Sequence, residues 1–246
     1  MLRRFIPGCR LASSFQLGIV PAPRGTIPEE CTVIVFARAP VPGETKTRLV
    51  PLLGEQGAAA LHARLIKRTL STVRAAALGR MELHCTPTPD DPFFRYCAGH
   101  YRIILATQAQ GGLGERMYAA LERALATHRR VLLIGSDCAA LSAAYLRGAD
   151  RALRTGADAV LGPCEDGGYA LIGLRAVDAR LFDGIEWGGA TVAAETRRRL
   201  SALGWNWREL DTLWDVDRPD DYERLIASGL LGPGWSHTES TLGPGQ

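Results

Sequence analysis

The feature that most constrains this chain is the regular alternation of short apolar runs rich in β-branched residues with longer segments of helical periodicity. Val131-Leu132-Leu133-Ile134-Gly135 is the clearest apolar run, too short for a buried helix and without the polar alternation of a half-exposed strand, so it reads as a central strand covered on both faces. Val33 to Ala37 has the same character. Between them, Leu61, Leu65, Val73 and Ala77 recur at helical spacing, with Arg64, Lys67, Arg68 and Arg74 left for solvent. Strands are further expected at Met81 to Thr86, Arg102 to Ala106, Ala159 to Gly162 and Tyr169 to Leu174. Helices are expected from about Gly114, from Ser142 to Thr155, from Val192 to Leu203 and from Pro219 to Ser228. Such alternation builds a largely parallel sheet with helices on both faces. Only Pro163 to Gly168 separate the strands ending at Gly162 and starting at Tyr169, too few for a helical crossover, so an antiparallel strand is expected and the sheet is mixed. The segment between Thr86 and Arg102, carrying Pro87, Pro89 and Pro92, reads as a polar connection.

A length of 246 residues suits one α/β domain, expected over 31–230 between a disordered extension at 1–30 and a disordered tail at 231–246. The extension is read as a disordered arm or an over-long gene start, not a targeting sequence, because its apolar patch is short and no cleavage pattern follows. The formal charge is +3, but Arg3, Arg4, Arg10 and Arg24 precede the first acid, leaving 25 of 29 basic residues against 26 acids. A body that near neutrality argues against a polyanion-binding surface, so no nucleic-acid partner is expected. No apolar stretch approaches the roughly 18 residues of a membrane span. Six cysteines without a C-x-x-C pair or a zinc-like His spacing argue for reduced thiols and a cytoplasmic setting.

Chemistry-bearing residues gather at segment ends. Asp137, in Ile134-Gly135-Ser136-Asp137-Cys138, lies just past a central strand, at the edge where open α/β sheets bind ligands. It can hold a hard cation, or equally cap the following helix. Asp211, Asp215 and Asp217 form a second acidic group before the final helix. Convergence of Asp137 with Asp217 would call for a cation or a shared proton, whereas Asp220 and Asp221 fit a helix start. The loop from Ala37 to Leu49 offers Arg38, Lys46 and Arg48 to a di- or triphosphate, or simply to solvent; it carries neither a Walker pattern nor G-x-G-x-x-G. Gly111-Gly112-Leu113-Gly114-Glu115-Arg116 opens a helix whose free amides could meet an anion. Glu165-Asp166-Gly167-Gly168-Tyr169 is either a plain hairpin turn or a ligand-approaching one, in which an acid acts as base or orients a hydroxyl. No His pairs with Ser or Cys as a nucleophilic dyad, and Trp187, Trp205, Trp207 and Trp214 read as core or pocket wall.

The ordered set Phe36-Ala37-Arg38-Ala39-Pro40, Pro42-Gly43, Lys46-Thr47-Arg48-Leu49, Leu113-Gly114-Glu115-Arg116-Met117, Gly135-Ser136-Asp137-Cys138, Gly162-Pro163, Glu165-Asp166-Gly167-Gly168-Tyr169 and Asp215-Val216-Asp217 resembles the bacterial radical-SAM/selenodomain-associated transferases of the glycosyltransferase A-type superfamily. The resemblance spans about Val33 to Ile226. It implies a single Rossmann-like nucleotide-diphospho-sugar transferase domain using Mg2+ or Mn2+. It also implies metal binding by Asp137 and Asp217, and catalysis by Asp137, Lys46 and Asp166 or Glu165. Nucleotide or phosphate contacts would come from Ala37, Arg38, Lys46, Arg48, Gly114 and Arg116, and substrate contacts from Gly167, Gly168, Tyr169 and Trp187. The implied activity is transfer of a sugar from a nucleoside diphosphate sugar to a small-molecule acceptor. The K-x-R-L element is also similar to that of guanylyltransferases acting on phospholactate or phosphoenolpyruvate, which keeps guanylyl- or cytidylyl-type nucleotidyl transfer to a small phosphate or phosphonate open. A non-catalytic nucleotide-binding role is the reading of another class. The chain departs from the family pattern at Ala139, where proline is usual, at Arg218, where threonine is usual, and at Gly188-Gly189, where a small hydroxyl residue follows the tryptophan. The last departure bears on the acceptor.

Overall fold

A computed structural model describes residues 31–232; the expectations for 1–30 and for the tail beyond Gly232 lie outside the described residues. Seven strands form one sheet: β1 (Cys31–Arg38), β2 (Met81–Thr86), β3 (Ile104–Thr107), β4 (Arg130–Ile134), β5 (Ala159–Pro163), β6 (Tyr169–Leu174) and β7 (Trp207–Glu209). Their spatial order is β3-β2-β1-β4-β6-β5-β7. All neighbours are parallel except around β6, which runs antiparallel to both β4 and β5. The short link before Tyr169 thus does what its length dictates.

Strand pleating sends alternate residues to opposite layers. On β1, Val33, Val35 and Ala37 join the layer of α1 (Val50–Ala76), α2 (Pro92–Tyr101) and α4 (Ala143–Arg154). Ile34 and Phe36 join the opposite layer with α3 (Leu113–Leu125) and α5 (Val192–Ala202). A third cluster packs Leu49, Leu61 and Leu65 against Trp214, Val216, Tyr222 and Leu225, fixing α6 (Pro219–Ser228) and the strand-like segment before it onto α1.

The structure departs from the sequence expectations in particular places. The connection after Pro87 contains α2, in which Asp91 caps by accepting from Phe93 N–H at 2.8 Å and Pro92 takes a first-turn position. Proline there starts a helix because the amide it lacks would have no partner anyway. β3 begins two residues later than expected, and β7, an edge strand of three residues, joins β5. Of the α1 cations assigned to solvent, Arg64 and Arg68 donate to the carbonyls of Leu231 and Leu230, and Arg68 also to Ala139.

Candidate active site

The carboxyl ends of β1, β4 and β5 open onto one edge, and the reversed β6 starts there. This brings the turn 165–168 beside Asp137. The segment 213–217 completes the edge. Leu213 N–H donates to the Pro163 carbonyl at 2.8 Å, Glu165 N–H to the Leu213 carbonyl at 3.0 Å, and Val216 N–H to the Asp137 carbonyl at 3.1 Å. Through this ladder Asp215 enters the same site as Asp137 and Asp166.

The Asp137 side chain is 46% exposed, but its Oδ1 faces inward to the Lys46 ammonium at 2.8 Å. His62, buried on α1, places Nδ1 3.5 Å from the same oxygen and Nε2 3.1 Å from the Arg38 carbonyl. Burial opposes the Asp137 charge, yet Lys46 and His62 together outweigh it and hold the carboxyl well below the usual range. Lys46 adopts the left-handed backbone region (φ 51°) and its ammonium also donates to the Val216 carbonyl at 2.7 Å. Its side chain is only 5% exposed. The residue that the resemblance makes a phosphate contact is therefore the internal counter-ion of Asp137.

Asp215 has the opposite balance. Burial, followed by the nearby charges of Asp137 and Asp166, pushes its carboxyl up to about 6, although the Cys164 thiol donates to it at 3.3 Å and Lys46 partly compensates. Asp166 accepts from Gly168 N–H at 2.9 Å, which fixes the turn. Gly167 sits at φ +86°, and a Cβ there would come within 2.0 Å of the Ala190 carbonyl oxygen. The turn and the loop ending in Ala190 therefore approach as closely as glycine allows.

Not every sequence candidate converges. Asp217 turns to Arg48 in an exposed ion pair, and its own N–H donates to Asp221. Glu165 makes a two-pronged pair with Arg224 on α6 at 2.7 and 3.1 Å. Arg38 is exposed at the end of β1, beside Ala37, which is buried. Arg116 is held by Gln108, whose amide bridges the carbonyls of Ala37 and His84. Gly114 lies under Trp187: a Cβ there would meet the indole Nε1 at 2.5 Å. Trp187 in turn stacks on Phe182 and meets Tyr169 edge to face.

Asp215, rather than Asp217, is the member of the acidic group that the fold brings beside Asp137, and Gln108 and His62 join the site without being sequence candidates. The acidic group itself is legible in the sequence; nothing local marks Gln108 or His62.

The thiol of Cys164 and carboxylate oxygens of Asp166 and Asp215 lie within 4.8 Å of one another. Carboxylates crowded enough to make one of them hold its proton more tightly suit a hard divalent cation, which would relieve their repulsion. The two carboxylates fit Mg2+ or Mn2+, while the Cys164 thiol, whose proton is held by its neighbours and by burial, offers no thiolate to a soft metal. The described cysteines are all free and buried, and no described helix is long and apolar enough to cross a membrane.

A family model described as an uncharacterized protein conserved in bacteria (DUF2064) matches residues 69–189. No curated protein matches the chain. Among solved structures, a candidate nucleotide-diphospho-sugar transferase from Desulfovibrio desulfuricans G20 is 29% identical, covers 87% of this chain and 92% of its own, and superposes with a TM-score of 0.75. A cytidylyltransferase from Leptospira borgpetersenii is 11% identical, with 87% and 92% coverage and a TM-score of 0.54. The 4-diphosphocytidyl-2C-methyl-D-erythritol synthase of Anaerococcus prevotii is 11% identical, with 81% and 98% coverage and a TM-score of 0.52. The fold is accordingly the Rossmann-like fold of nucleotide-diphospho-sugar transferases and cytidylyltransferases.

Proposed function

We propose that this chain is a metal-dependent transferase that moves a glycosyl group from a nucleoside diphosphate sugar to a small-molecule acceptor. The observation that carries this reading is the convergence of Asp137, Asp166 and Asp215 at the sheet edge beside the cation-bearing loop after β1. Its support is the likeness, at 29% identity, to a candidate transferase of that type.

Asp137 and Asp215 would hold Mg2+ or Mn2+, with Asp166 beside them; the bound ion would neutralise a departing diphosphate. Arg38 and Arg48 lie exposed on the approach to the site and draw the diphosphate in. Lys46 keeps Asp137 ionised and oriented. Asp166 takes the proton of the acceptor hydroxyl as its oxygen bonds to the anomeric carbon. The bond from that carbon to the diphosphate oxygen breaks, and the nucleoside diphosphate leaves with the electron pair.

Titration calorimetry with nucleoside diphosphate sugars and nucleoside triphosphates, with and without Mg2+ or Mn2+, tests the reading. Metal-dependent sugar-nucleotide binding that is lost in Asp137→Asn, with nucleoside diphosphate as product, is the expected result. Selective triphosphate binding with pyrophosphate release would move the assignment to nucleotidyl transfer. Binding of neither would refute a nucleotide-activated donor.

A further inference from the structure

Next to the acidic cluster lies a cavity of about 200 Å³. Phe36 and Leu133 of the sheet, Met117 of α3 and the edge-to-face pair Tyr169 and Trp187 give it apolar walls. The ionisable carboxyls that line it are Asp166 and Asp215, and no Lys or Arg lines it. The cations of the β1 loop stay outside, so charge is divided in space: positive charge where a diphosphate would approach, carboxylates where the second substrate would sit.

Size limits the occupant further. An apolar cavity of about 150 Å³ accommodates benzene, so this one takes a single six-membered ring with a small substituent. The Tyr169 hydroxyl is buried without a hydrogen-bond partner, although it comes near Thr196, whose own hydroxyl donates to the Val192 carbonyl at 2.9 Å. A buried hydroxyl of this kind gains from a ligand polar group. Gly188 and Gly189, where the family pattern has a small hydroxyl residue after the tryptophan, leave one side of the cavity without side chains. A Cβ at Gly189 would meet nothing closer than the Glu186 carbonyl oxygen at 3.5 Å, so the space there is open.

We propose that this cavity selects an acceptor with a ring-sized apolar body and an uncharged or cationic head, a hydroxyl or amine presented to Asp166 and Asp215, and that in the metal-free protein it rejects phosphorylated and carboxylated compounds. The acceptor role rests on the transferase reading above; the selectivity rests on the cavity alone.

Three probes sharing one ring isolate the charge: benzyl alcohol, benzylamine and benzyl phosphate, titrated into the full chain without metal and followed by ligand-detected NMR. The alcohol and amine should bind, and the phosphate should bind roughly thirtyfold more weakly or not at all, because like charges in a poorly solvated site repel strongly. Gly189→Phe fills the open side and Met117→Phe the opposite wall; a folded variant of either kind, checked by its melting curve, should bind the alcohol at least about tenfold more weakly. Asp166→Asn, which keeps an acceptor for Gly168 N–H, should narrow the gap between alcohol and phosphate. Equal or tighter binding of benzyl phosphate, no binding of any probe, or alcohol binding untouched by both filling variants would overturn the proposal. Because no donor is present, these outcomes are separate from the donor titration: ring binding without sugar-nucleotide binding would sink the transferase reading and leave the selectivity standing.

Discussion

Replacing Asp215 with Asn should make the metal-free protein more stable while removing its metal binding. The Asp215 carboxyl is pushed from 3.8 up to about 6, first by burial and then by Asp137. A folded carboxyl that holds its proton more tightly than the unfolded chain does contributes stability below about pH 4, and that contribution is lost as pH rises through about 6. Near pH 8 the wild type therefore carries the whole penalty. Two pH units correspond to roughly 3 kcal/mol, an upper bound because the Asn amide must itself be accommodated. The amide oxygen can still accept from the Cys164 thiol, so the neutral isostere loses little packing. For a domain of this size each kcal/mol moves the melting temperature by about 2–4 °C, so a rise of about 4–10 °C is expected at pH 8 with chelator present. At pH 4.5 the wild-type carboxyl is already protonated and the two proteins should melt within about 2 °C of each other. An Asn variant no more stable than wild type at pH 8, or a gain of equal size at both pH values, would refute the assignment of the strain to this carboxylate.

The same group links metal binding to pH: Mn2+ affinity measured by calorimetry should fall roughly tenfold from pH 7 to pH 5 as a proton competes for Asp215, and a flat profile would remove Asp215 from the ligand set. Lys46→Met should cost about 1–3 kcal/mol of stability near neutral pH by leaving Asp137 without its ammonium, and adding Asp137→Asn should restore most of it; Arg48→Ala should leave the melting temperature nearly unchanged and weaken nucleotide binding several-fold. Gly167→Ala should destabilise by more than about 2 kcal/mol, because the backbone is left-handed and the added methyl meets a carbonyl oxygen; an unchanged urea midpoint would contradict the close approach to Ala190. In a steady-state assay Glu165→Gln should alter turnover less than about twofold while Asp166→Asn lowers it at least about a hundredfold; the reverse order would exchange their roles.

What the sequence discloses follows from how local each signal is. β1 and β4 are legible because strands buried on both faces need unbroken apolar runs, and the antiparallel β6 is legible because six residues cannot build a crossover. Helix α2 is hidden by its prolines, although Asp91-Pro92 is a cap followed by a first-turn proline. β7 is hidden because three half-exposed residues become a strand only through β5. In the site, Asp137 and Asp166 are marked by position at the ends of strands. The choice between Asp215 and Asp217 is not local, since residues two apart share a face in any regular strand. In the fold they part: Asp215 accepts from the Cys164 thiol beside Asp137, whereas Asp217 pairs with Arg48 and its N–H, with that of Arg218, is bound to Asp221. Lys46 reads as a loop cation like Arg38 and Arg48, and only the fold reveals that it points inward.

That difference among three cations of one loop gives the site its division of labour. Lys46, 5% exposed and shared between Asp137 and the Val216 carbonyl, could reach a phosphate only by leaving a carboxylate without its counter-ion, which costs several kcal/mol in a partly desolvated site. Arg48, 63% exposed, is paired with an Asp217 that is itself 41% exposed; such a pair is worth at most about 1 kcal/mol and gives way readily to a diphosphate. Arg38 stands exposed at the end of β1. The mobile positive charge thus belongs to the two arginines, whose planar groups bind phosphate oxygens in pairs, while the fixed lysine, with His62, holds the Asp137 carboxyl well below the usual range. A strand-end carboxylate held ionised from below and open above differs from a helix cap, for which Ser142 already serves by accepting from Tyr145 N–H at 3.1 Å. With the capping task filled by another residue, the exposed side of Asp137 is left for a cation.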